Sequence, residues 1–441
     1  ALSGPGVGLL CIGGLLLMMV LRVPIAVAMI LAGGLGFASL AGLGPLLASL
    51  KTGPYYVLSN DSFTVIPLFL LMGFLASRAG ISRALFATAN AFVGHLRGGL
   101  AMAGIGGCAL FGAICGSSLA TAATMAQVAL PEMRRYGYRG SLATGTLAAG
   151  GTLGILIPPS IPLIVFAILT EQNIAKLFLA AFVPGILATL GYCLAIAVVV
   201  RLDPTAGPAG PRVAWRQKLR SLVAFLPVAA LFLLVLGGIY GGVFTPTEAA
   251  AFGAAGTAIL TLCRRGVRLS DFTDSLADTA VASGMIFLIL IGAEVFNAFM
   301  ALAGLPQYLA SAIGESGLSP MGVMLLILLA YLALGCLMDS LSMILLTIPI
   351  FFPVVMALDF GMEPEAVAIW FGILVLIVVE VGLITPPVGM NVFVINKIAV
   401  DVPMRETFRG VLPFLVSDAL RVAVLLAFPV LSYGIVSWLG W

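Results

Sequence analysis

Two proline pairs, Pro158-Pro159 and Pro386-Pro387, each stand inside a long apolar stretch. A proline has no backbone N–H and disfavours the α conformation of the residue before it, so a helix must break at each pair. Unsatisfied backbone groups cost several kcal/mol each in hydrocarbon, so such a break persists only inside protein or beside a wet cavity. A small hard cation takes carbonyl and hydroxyl oxygens as ligands, and each break therefore predicts a cation site.

Each proline pair has a polar partner in another apolar stretch of its own half of the chain. The first tip is residues 116–118 (Gly-Ser-Ser) and the second tip is residues 338–340 (Met-Asp-Ser). We predict two sodium sites; the first comprises Cys115, Ser117, Ser118, Gly154, Ile157 and Pro159, and the second comprises Met338, Asp339, Ser340, Gly382, Thr385 and Pro387. Cys115 offers only its backbone, and Ile157 stands where the second site has Thr385, so the sites are expected to differ in strength. The alternative is that both proline pairs are packing kinks.

Two acidic residues lie within these apolar stretches. Asp339 costs at least about 2.5–3.5 kcal/mol there on insertion scales, which predicts a functional carboxylate. The alternatives for Asp339 are a paired structural acid or a tip that emerges into water. Glu380, just before the second proline pair, is predicted to neutralise or bind a cation as an auxiliary acid.

An anionic organic acid is the expected substrate, because the N-termini of half-helices carry partial positive charge that favours carboxylates. The candidate substrate contacts are the polar side chains near the tips and breaks, namely Thr121, Thr124, Ser160 and Asn391. His95 is the only histidine, so sodium coupling is easier to build than a histidine proton relay.

The amino-acid composition indicates that the chain is surrounded mainly by lipid. Of 441 residues, 61% are hydrophobic and only 9% are charged, whereas a soluble domain carries about 25% charged residues. The chain is therefore predicted to be an all-α polytopic membrane protein. The six cysteines form no CxxC or Cys/His spacing, so neither a disulfide framework nor a zinc site is supported. The basic clusters indicate topology and not a nucleic-acid partner.

Ten apolar runs are long enough to span a bilayer, at 6–21, 25–43, 57–77, 141–170, 175–200, 221–239, 248–263, 280–303, 366–396 and 411–438. Basic residues cluster at 78–97, 134–139, 201–220, 264–268 and 397–409, and the positive-inside rule puts these clusters in the cytoplasm. The stretches 98–131 and 320–357 must then each return to their own side, as re-entrant helical hairpins. Lys51, Lys176 and Arg421 do not fit this scheme.

The second half of the chain echoes the first at nearly constant separation. Gly154 matches Gly382, Ser118 matches Ser340, and each half has one hairpin and one broken helix. The span count gives matched segments opposite directions, which is typical of secondary transporters with a midplane site. We therefore predict a first inverted repeat at 1–200 (hairpin 98–131, broken helix 141–170), a cytoplasmic linker at 201–220, and a second repeat at 221–441 (hairpin 320–357, broken helix 366–396).

Four segments resemble one known family, the large membrane subunit of TRAP (tripartite ATP-independent periplasmic) transporters. They are GAICGSSLATA at 112–122, GILIPPS at 154–160, GCLMD at 335–339 and GLITPPVGMN at 382–391. The resemblance implies an elevator-type transporter in the bacterial inner membrane, in which hairpins and broken helices slide against a scaffold. It implies sodium-driven uptake of a carboxylate such as a C4-dicarboxylate, a sialic acid or a sugar acid.

The same resemblance implies two protein partners: a periplasmic substrate-binding protein and a small four-helix membrane subunit. Because no additional block of four spans precedes the first repeat, the small subunit is expected to be a separate chain. The closest alternative is a standalone sodium/dicarboxylate symporter, which needs no binding protein, and a channel is a further one. An intramembrane enzyme is not expected, because no HExxH occurs and Ser117-Ser118 has no base nearby in the sequence.

Overall fold

The computed structural model describes residues 3–263, 268–315 and 317–440, and in these ranges the chain is helical without a strand. The first half contains α1 (Gly4–Val20), α2 (Ile25–Ala41), α3 (Leu43–Ser59), a 3₁₀ turn (Asp61–Thr64), α4 (Val65–Arg78), α5 (Ile81–Val93), α6 (Gly99–Cys115), α7 (Ser118–Arg135), α8 (Gly140–Leu156), α9 (Ile161–Leu169) and α10 (Ile174–Leu202). The second half contains α11 (Trp215–Tyr240), α12 (Pro246–Cys263), α13 (Leu269–Ala303), α14 (Leu305–Glu315), α15 (Pro320–Gly335), α16 (Ser340–Met356), α17 (Pro364–Gly382), α18 (Met390–Ile398), α19 (Met404–Ala427) and α20 (Val430–Trp438).

Six helical segments in the described part of the chain are long and apolar enough to cross a bilayer. They are Asp61–Arg78, α10, α11, α13, α17 and α19, and the bent pair α8 and α9 makes a seventh. Shorter apolar helices of 10–17 residues are α1, α2, α5, α6, α15 and α16. The chain is therefore a multi-pass helical membrane protein.

Both tips lie at the helix ends that the sequence predicts. Gly116 ends α6 with a positive φ of 62°, and the Ser117 side chain caps α7 by accepting a hydrogen bond from the Ala120 N–H at 3.4 Å. Asp339 caps α16 in the same way, accepting from the Ser342 N–H at 3.1 Å. A short polar side chain that accepts from the first turn satisfies backbone donors that the helix itself leaves free.

The two broken helices interrupt at the proline pairs. The first break, residues 157–160, separates α8 from α9 with a bend of 41°. The second break, residues 383–389, separates α17 from α18. Both Pro–Pro peptide bonds are cis. Each half thus presents one tip and one break, joined to otherwise regular helices.

Two of the predicted spans are wrong in detail. The run 411–438 is not one span, because α19 ends at Ala427 and Phe428 adopts φ −128° and ψ 72° before Pro429. The residue before a proline disfavours the α region, so the helix stops there. The run 57–77 starts too early, because the extended Asn60 separates α3 from the 3₁₀ turn and α4. Helices α3, α5 and α14 were not predicted.

The helices of the two halves interlock. Helix α2 packs on α13 while α12 packs on α4, and α9 packs on α16 while α18 packs on α7. Each segment that follows a break therefore rests on the hairpin of the other half. Exchanging the halves reproduces this set of contacts, as two related halves would. The opposite orientation of the halves and their limits at 1–200 and 221–441 stay predictions.

Candidate functional site

A cavity of about 340 Å³ lies where the two tips meet. Its walls come from the tips and the helix turns beside them, the end of α8, the start of α9, the second break, and helices α4 and α13: Leu70, Gly73, Phe74, Cys115, Gly116, Ser117, Ser118, Leu119, Ala120, Ile155, Ile161, Pro162, Ala282, Met285, Ile286, Asp339, Ser340, Leu341 and Leu383. The volume falls in the range of small-molecule sites, and the lining is apolar with a few convergent polar groups, as such sites are.

Three helices begin at this cavity: α7, α9 and α16. Their first turns carry free N–H groups and partial positive charge, which suits the oxygens of a carboxylate. Among the described residues that line the cavity there is no lysine or arginine, and Asp339 is the single carboxylate. Recognition of an anion here would therefore fall to serine hydroxyls, helix N-termini and any bound cation.

The first break leaves backbone oxygens without donors. Gly154 and Ile155 stand four residues before Pro158 and Pro159, which have no N–H to give, and no described group donates to either carbonyl. The first tip lies against Gly154: a Cβ built on Gly154 would come 2.9 Å from the Ser117 carbonyl oxygen. The prolines themselves are buried.

Two further oxygen atoms lie where the first tip meets the first break. A Cβ built on Gly116 would lie 3.2 Å from the Pro159 carbonyl oxygen, and one built on Gly154 would lie 2.4 Å from Thr121 Oγ1. Thr121 Oγ1 is buried and lies beside the Cys115 thiol, and it makes no geometric hydrogen bond within the described ranges. The predicted residues of the first sodium site are thus brought together, Ile157 through its backbone only, and the donor set is of the type that sodium prefers.

At the second break, more backbone carbonyls accept hydrogen bonds than at the first break. The Gly382 carbonyl accepts from the Thr385 N–H at 3.1 Å, and the Leu383 carbonyl accepts from the Asn391 N–H at 3.0 Å. The Thr385 hydroxyl donates to the Val381 carbonyl at 2.6 Å. Pro386 and Pro387 are exposed at this break.

The second tip nevertheless stays close to its break. A Cβ built on Gly382 would lie 2.6 Å from Gly335 Cα, so α15 and α17 touch backbone to backbone just before the tip. Met338 is buried, and Asp339 is half-buried on the cavity wall. Besides capping α16, the Asp339 carboxylate accepts a very short hydrogen bond from the Ser342 hydroxyl. Asp339 is therefore a helix cap and a cavity residue at once.

Glu380 connects the two tips. Its side chain is buried, and Oε1 accepts a hydrogen bond from the Ser340 hydroxyl at 2.7 Å. The Ser118 side chain of the first tip lies beside the same carboxylate. Oε2 has no geometric hydrogen-bond partner within the described ranges. The sequence singled out all three residues but gave no signal that both serines converge on Glu380.

The four predicted substrate contacts lie close to the cavity without lining it. Thr124 Oγ1 is 3.1 Å from the Ser77 hydroxyl on α4, and Ser160 caps α9. Asn391 is buried and donates to the Ala148 carbonyl at 3.2 Å. Thr121 faces the first break as described above. The apolar wall from α4 and α13 was missed, because apolar residues inside a predicted span carry no local signal of a site.

Two of the three charges that do not fit the span scheme have acidic partners. Arg421 forms a buried ion pair with Asp418 at 2.6 Å, and the Tyr192 hydroxyl donates to the same carboxylate at 2.9 Å. Lys176 pairs with Glu365 at 2.6 Å. A buried cation with a hydrogen-bonded partner is tolerated inside a helix bundle, and this is why Arg421 can lie within a span.

The fold is similar to that of a solved structure, the Alcanivorax borkumensis YdaH transporter. The similarity has a TM-score of 0.59 and 17% sequence identity, and it covers 91% of this chain and 89% of that one. The fold class is therefore that of a multi-pass helical membrane protein.

A family model narrows this class. The family described as tripartite ATP-independent periplasmic transporter, DctM component, matches residues 12–431. The chain is 39% identical to the C4-dicarboxylate TRAP transporter large permease protein of Pseudomonas aeruginosa, over 87% of this chain and 88% of that protein. It is 34% identical to the sialic acid TRAP transporter large permease protein of Vibrio cholerae, over 84% and 85% respectively. The chain belongs to the DctM family of TRAP transporter large permeases, and such proteins are transporters and not enzymes.

Proposed function

We propose that this chain is a sodium-coupled permease that imports an organic acid across the bacterial inner membrane through the cavity between the two tips. The observation that carries the proposal is the convergence of both tips and three helix N-termini on one cavity beside the first break. A carboxylate would be bound by the N-termini and by the hydroxyls of Ser117, Ser118 and Ser340. Its charge would be balanced by the coupling ions.

Sodium coupling is supported by the oxygens at the first break. The carbonyls of Gly154 and Ile155, to which no described group donates, the Ser117 carbonyl and the Thr121 hydroxyl are hard neutral ligands. The described residues contain no cluster of three His, Cys, Asp or Glu side chains of the kind that holds a transition metal. A monovalent hard cation fits this donor set best.

An elevator mechanism is supported by the way in which the cavity wall is divided. One side is formed by the tips and the start of α9, and the other side is formed by α4 and α13. Helices α4 and α13 pack mainly against each other and against α12 and α2, and α4 makes only a limited contact with α9. The tips with their substrate could therefore slide along the apolar face of α4 and α13 without rebuilding the site.

The proposed substrate class and partners are based on the names of related proteins. Related permeases are named for C4-dicarboxylate, for sialic acid and, at 31% identity in Ruegeria pomeroyi, for ectoine/5-hydroxyectoine. We propose a carboxylate substrate, a periplasmic binding protein that delivers it, and a small TRAP membrane subunit that braces α4, α13 and their neighbours. A relative named isethionate TRAP transporter permease protein DctMQ is 33% identical, and this chain covers 63% of it.

The test is uptake in proteoliposomes that contain this chain, the small subunit and the binding protein encoded beside it. An inward sodium gradient should drive uptake of the ligand that the binding protein carries, and omission of that protein should abolish it. Asp339→Asn should lower uptake at least about tenfold, because it removes the one carboxylate of the cavity. Asp359→Asn is the matched control, since Asp359 is an exposed acid that caps a turn after α16.

Each alternative has its own outcome. Uptake that needs no binding protein would identify a standalone symporter. Ionic current without substrate would identify a channel. Equal uptake with a proton gradient and no sodium would overturn the sodium assignment.

A further inference from the structure

A dense basic segment stands at the entrance to α11. Residues 212–220 contain Arg212, Arg216, Lys218 and Arg220, and the chain has no acidic residue between Asp203 and Glu248. The three arginines are exposed. None of the four forms an ion pair with a described residue. Helix α5, which packs on α11, also has no acidic residue.

Several other arginines of the chain are paired with acids. Arg134 pairs with Asp401, and Arg139 pairs with Asp203 at 2.5 Å. Arg78 contacts two aspartates of α13, at 3.4 and 2.5 Å. Positive charge in residues 212–220 is instead left for a partner outside the described chain.

The basic segment is held in place at both ends. Before it, the Gly210 N–H donates to the Gly94 carbonyl at 2.9 Å. After it, the Thr88 hydroxyl donates to the Ser221 carbonyl at 3.2 Å. Between them, the Lys218 ammonium lies 5.6 Å from the ring centre of Phe92. The charges are therefore presented from an ordered backbone.

The surroundings of the segment match the surface of a bilayer. Trp215 is 67% exposed at the first residue of α11, and the helix continues as an apolar span. Its outward residues Leu219, Val223 and Leu226 are exposed as well, so this face of α11 is available to lipid tails. An exposed tryptophan beside a cationic cluster at the end of a span is the arrangement found at headgroup depth.

We infer that residues 212–220 form a binding site for anionic phospholipid headgroups, which fixes the junction between the 203–214 connection and α11 to the membrane surface. The phosphates would lie among the three arginines, and Trp215 would lie at the boundary between headgroups and tails. Charge complementarity identifies the occupant: the cations are unpaired, preorganised and adjacent to a lipid-facing helix.

The test compares two lipids in nanodiscs that contain the full chain. Brominated phosphatidylglycerol should quench tryptophan fluorescence more than brominated phosphatidylcholine does, and Trp215→Phe should remove that difference. Native mass spectrometry should find phosphatidylglycerol retained by the parent protein. The triple variant R212Q/R216Q/R220Q should lose it, with apparent affinity lowered about tenfold or more.

The matched control is R405Q/R409Q, which neutralises two exposed arginines at the start of α19, where Glu406 lies between them. It should leave lipid retention unchanged. Melting temperatures in purely zwitterionic lipid should be the same for all variants, because the substituted side chains are exposed. Equal quenching by the two lipids, or equal lipid retention by the triple variant, would overturn the inference.

Discussion

The two breaks carry nearly the same motif but treat their backbone differently. At the first break the prolines are buried and the carbonyls of Gly154 and Ile155 have no donor among the described residues. At the second break the prolines are exposed and the carbonyls of Gly382 and Leu383 already accept hydrogen bonds. A proline pair therefore fixes where a helix stops. The local turn geometry decides which oxygens remain for a ligand.

The side chains at matched positions follow the same division. Ile157 offers no polar atom, and the first break is completed by the Ser117 carbonyl and Thr121 from the tip. Thr385 at the second break donates to the Val381 carbonyl and so satisfies its own helix end. The first site is built by tertiary contacts, whereas the second is largely built within its own chain segment.

The largest effect is expected where α6 meets α8 at the first break. A Cβ on Gly112 would lie 2.3 Å from Gly154 Cα, whereas one on the matched Gly335 would lie 3.1 Å from the Val379 oxygen. Gly112→Ala should destabilise the protein by about 1–3 kcal/mol and abolish sodium-dependent uptake, because backbone atoms cannot yield easily. Thermal melting and proteoliposome uptake measure both effects. Gly335→Ala should retain most activity.

Gly284→Ala is the control for that comparison, because a Cβ there meets nothing within 4 Å. A Gly112→Ala protein that transported like the Gly284→Ala protein would remove the steric distinction between the two breaks.

A smaller effect is expected from hydroxyl removal at the second break. Thr385→Val deletes the hydrogen bond to the Val381 carbonyl, worth about 0.5–1.5 kcal/mol, and should raise the half-saturating sodium concentration up to about tenfold. Thr385→Ser should restore most of the loss. Ile157→Val should leave sodium dependence unchanged, because only its backbone faces the first break. Sodium titration of initial uptake rates distinguishes these outcomes, and equal shifts for Ile157→Val and Thr385→Val would contradict the comparison.

The smallest effect concerns the ion pair between Lys176, shortly after α9, and Glu365, at the start of α17. Lys176→Gln should change the free energy of unfolding by less than about 1 kcal/mol, since Glu365 is largely exposed and exposed pairs contribute little. The change should shrink further in high salt. Denaturation at two salt concentrations tests this prediction. A large, salt-independent loss would mean that the pair holds α10 and α17 together.

The ends of helices at the tips and breaks were predictable from the sequence. The meeting of distant side chains in one site was not. Gly116, Asp339 and the proline pairs mark helix ends by their own conformational preferences, so the tips and breaks lie where the sequence predicted. The end of α19 before Phe428 was not predicted, because the apolar run continues past Pro429. Apolarity alone gave no boundary for α3, α5 or α14.

The site itself required contacts between distant parts of the chain. Ser118, Ser340 and Glu380 meet because hairpins from both halves pack around α8 and α17. No spacing in the sequence indicates which hydroxyl faces which carboxylate. The Tyr192 hydroxyl that supports the Asp418–Arg421 pair was hidden for the same reason, since it reaches Asp418 from another helix.

The exchanged packing of the segments after the breaks has a consequence for biogenesis. Helix α7 is inserted early in synthesis, but its partner α18 leaves the ribosome only after most of the second half has been made. Until then the surface of α7 that packs on α18 has no helix against it, and in the nascent chain it contacts lipid or the insertion machinery. The interlocked halves thus make the final packing of the first hairpin a late event of translation.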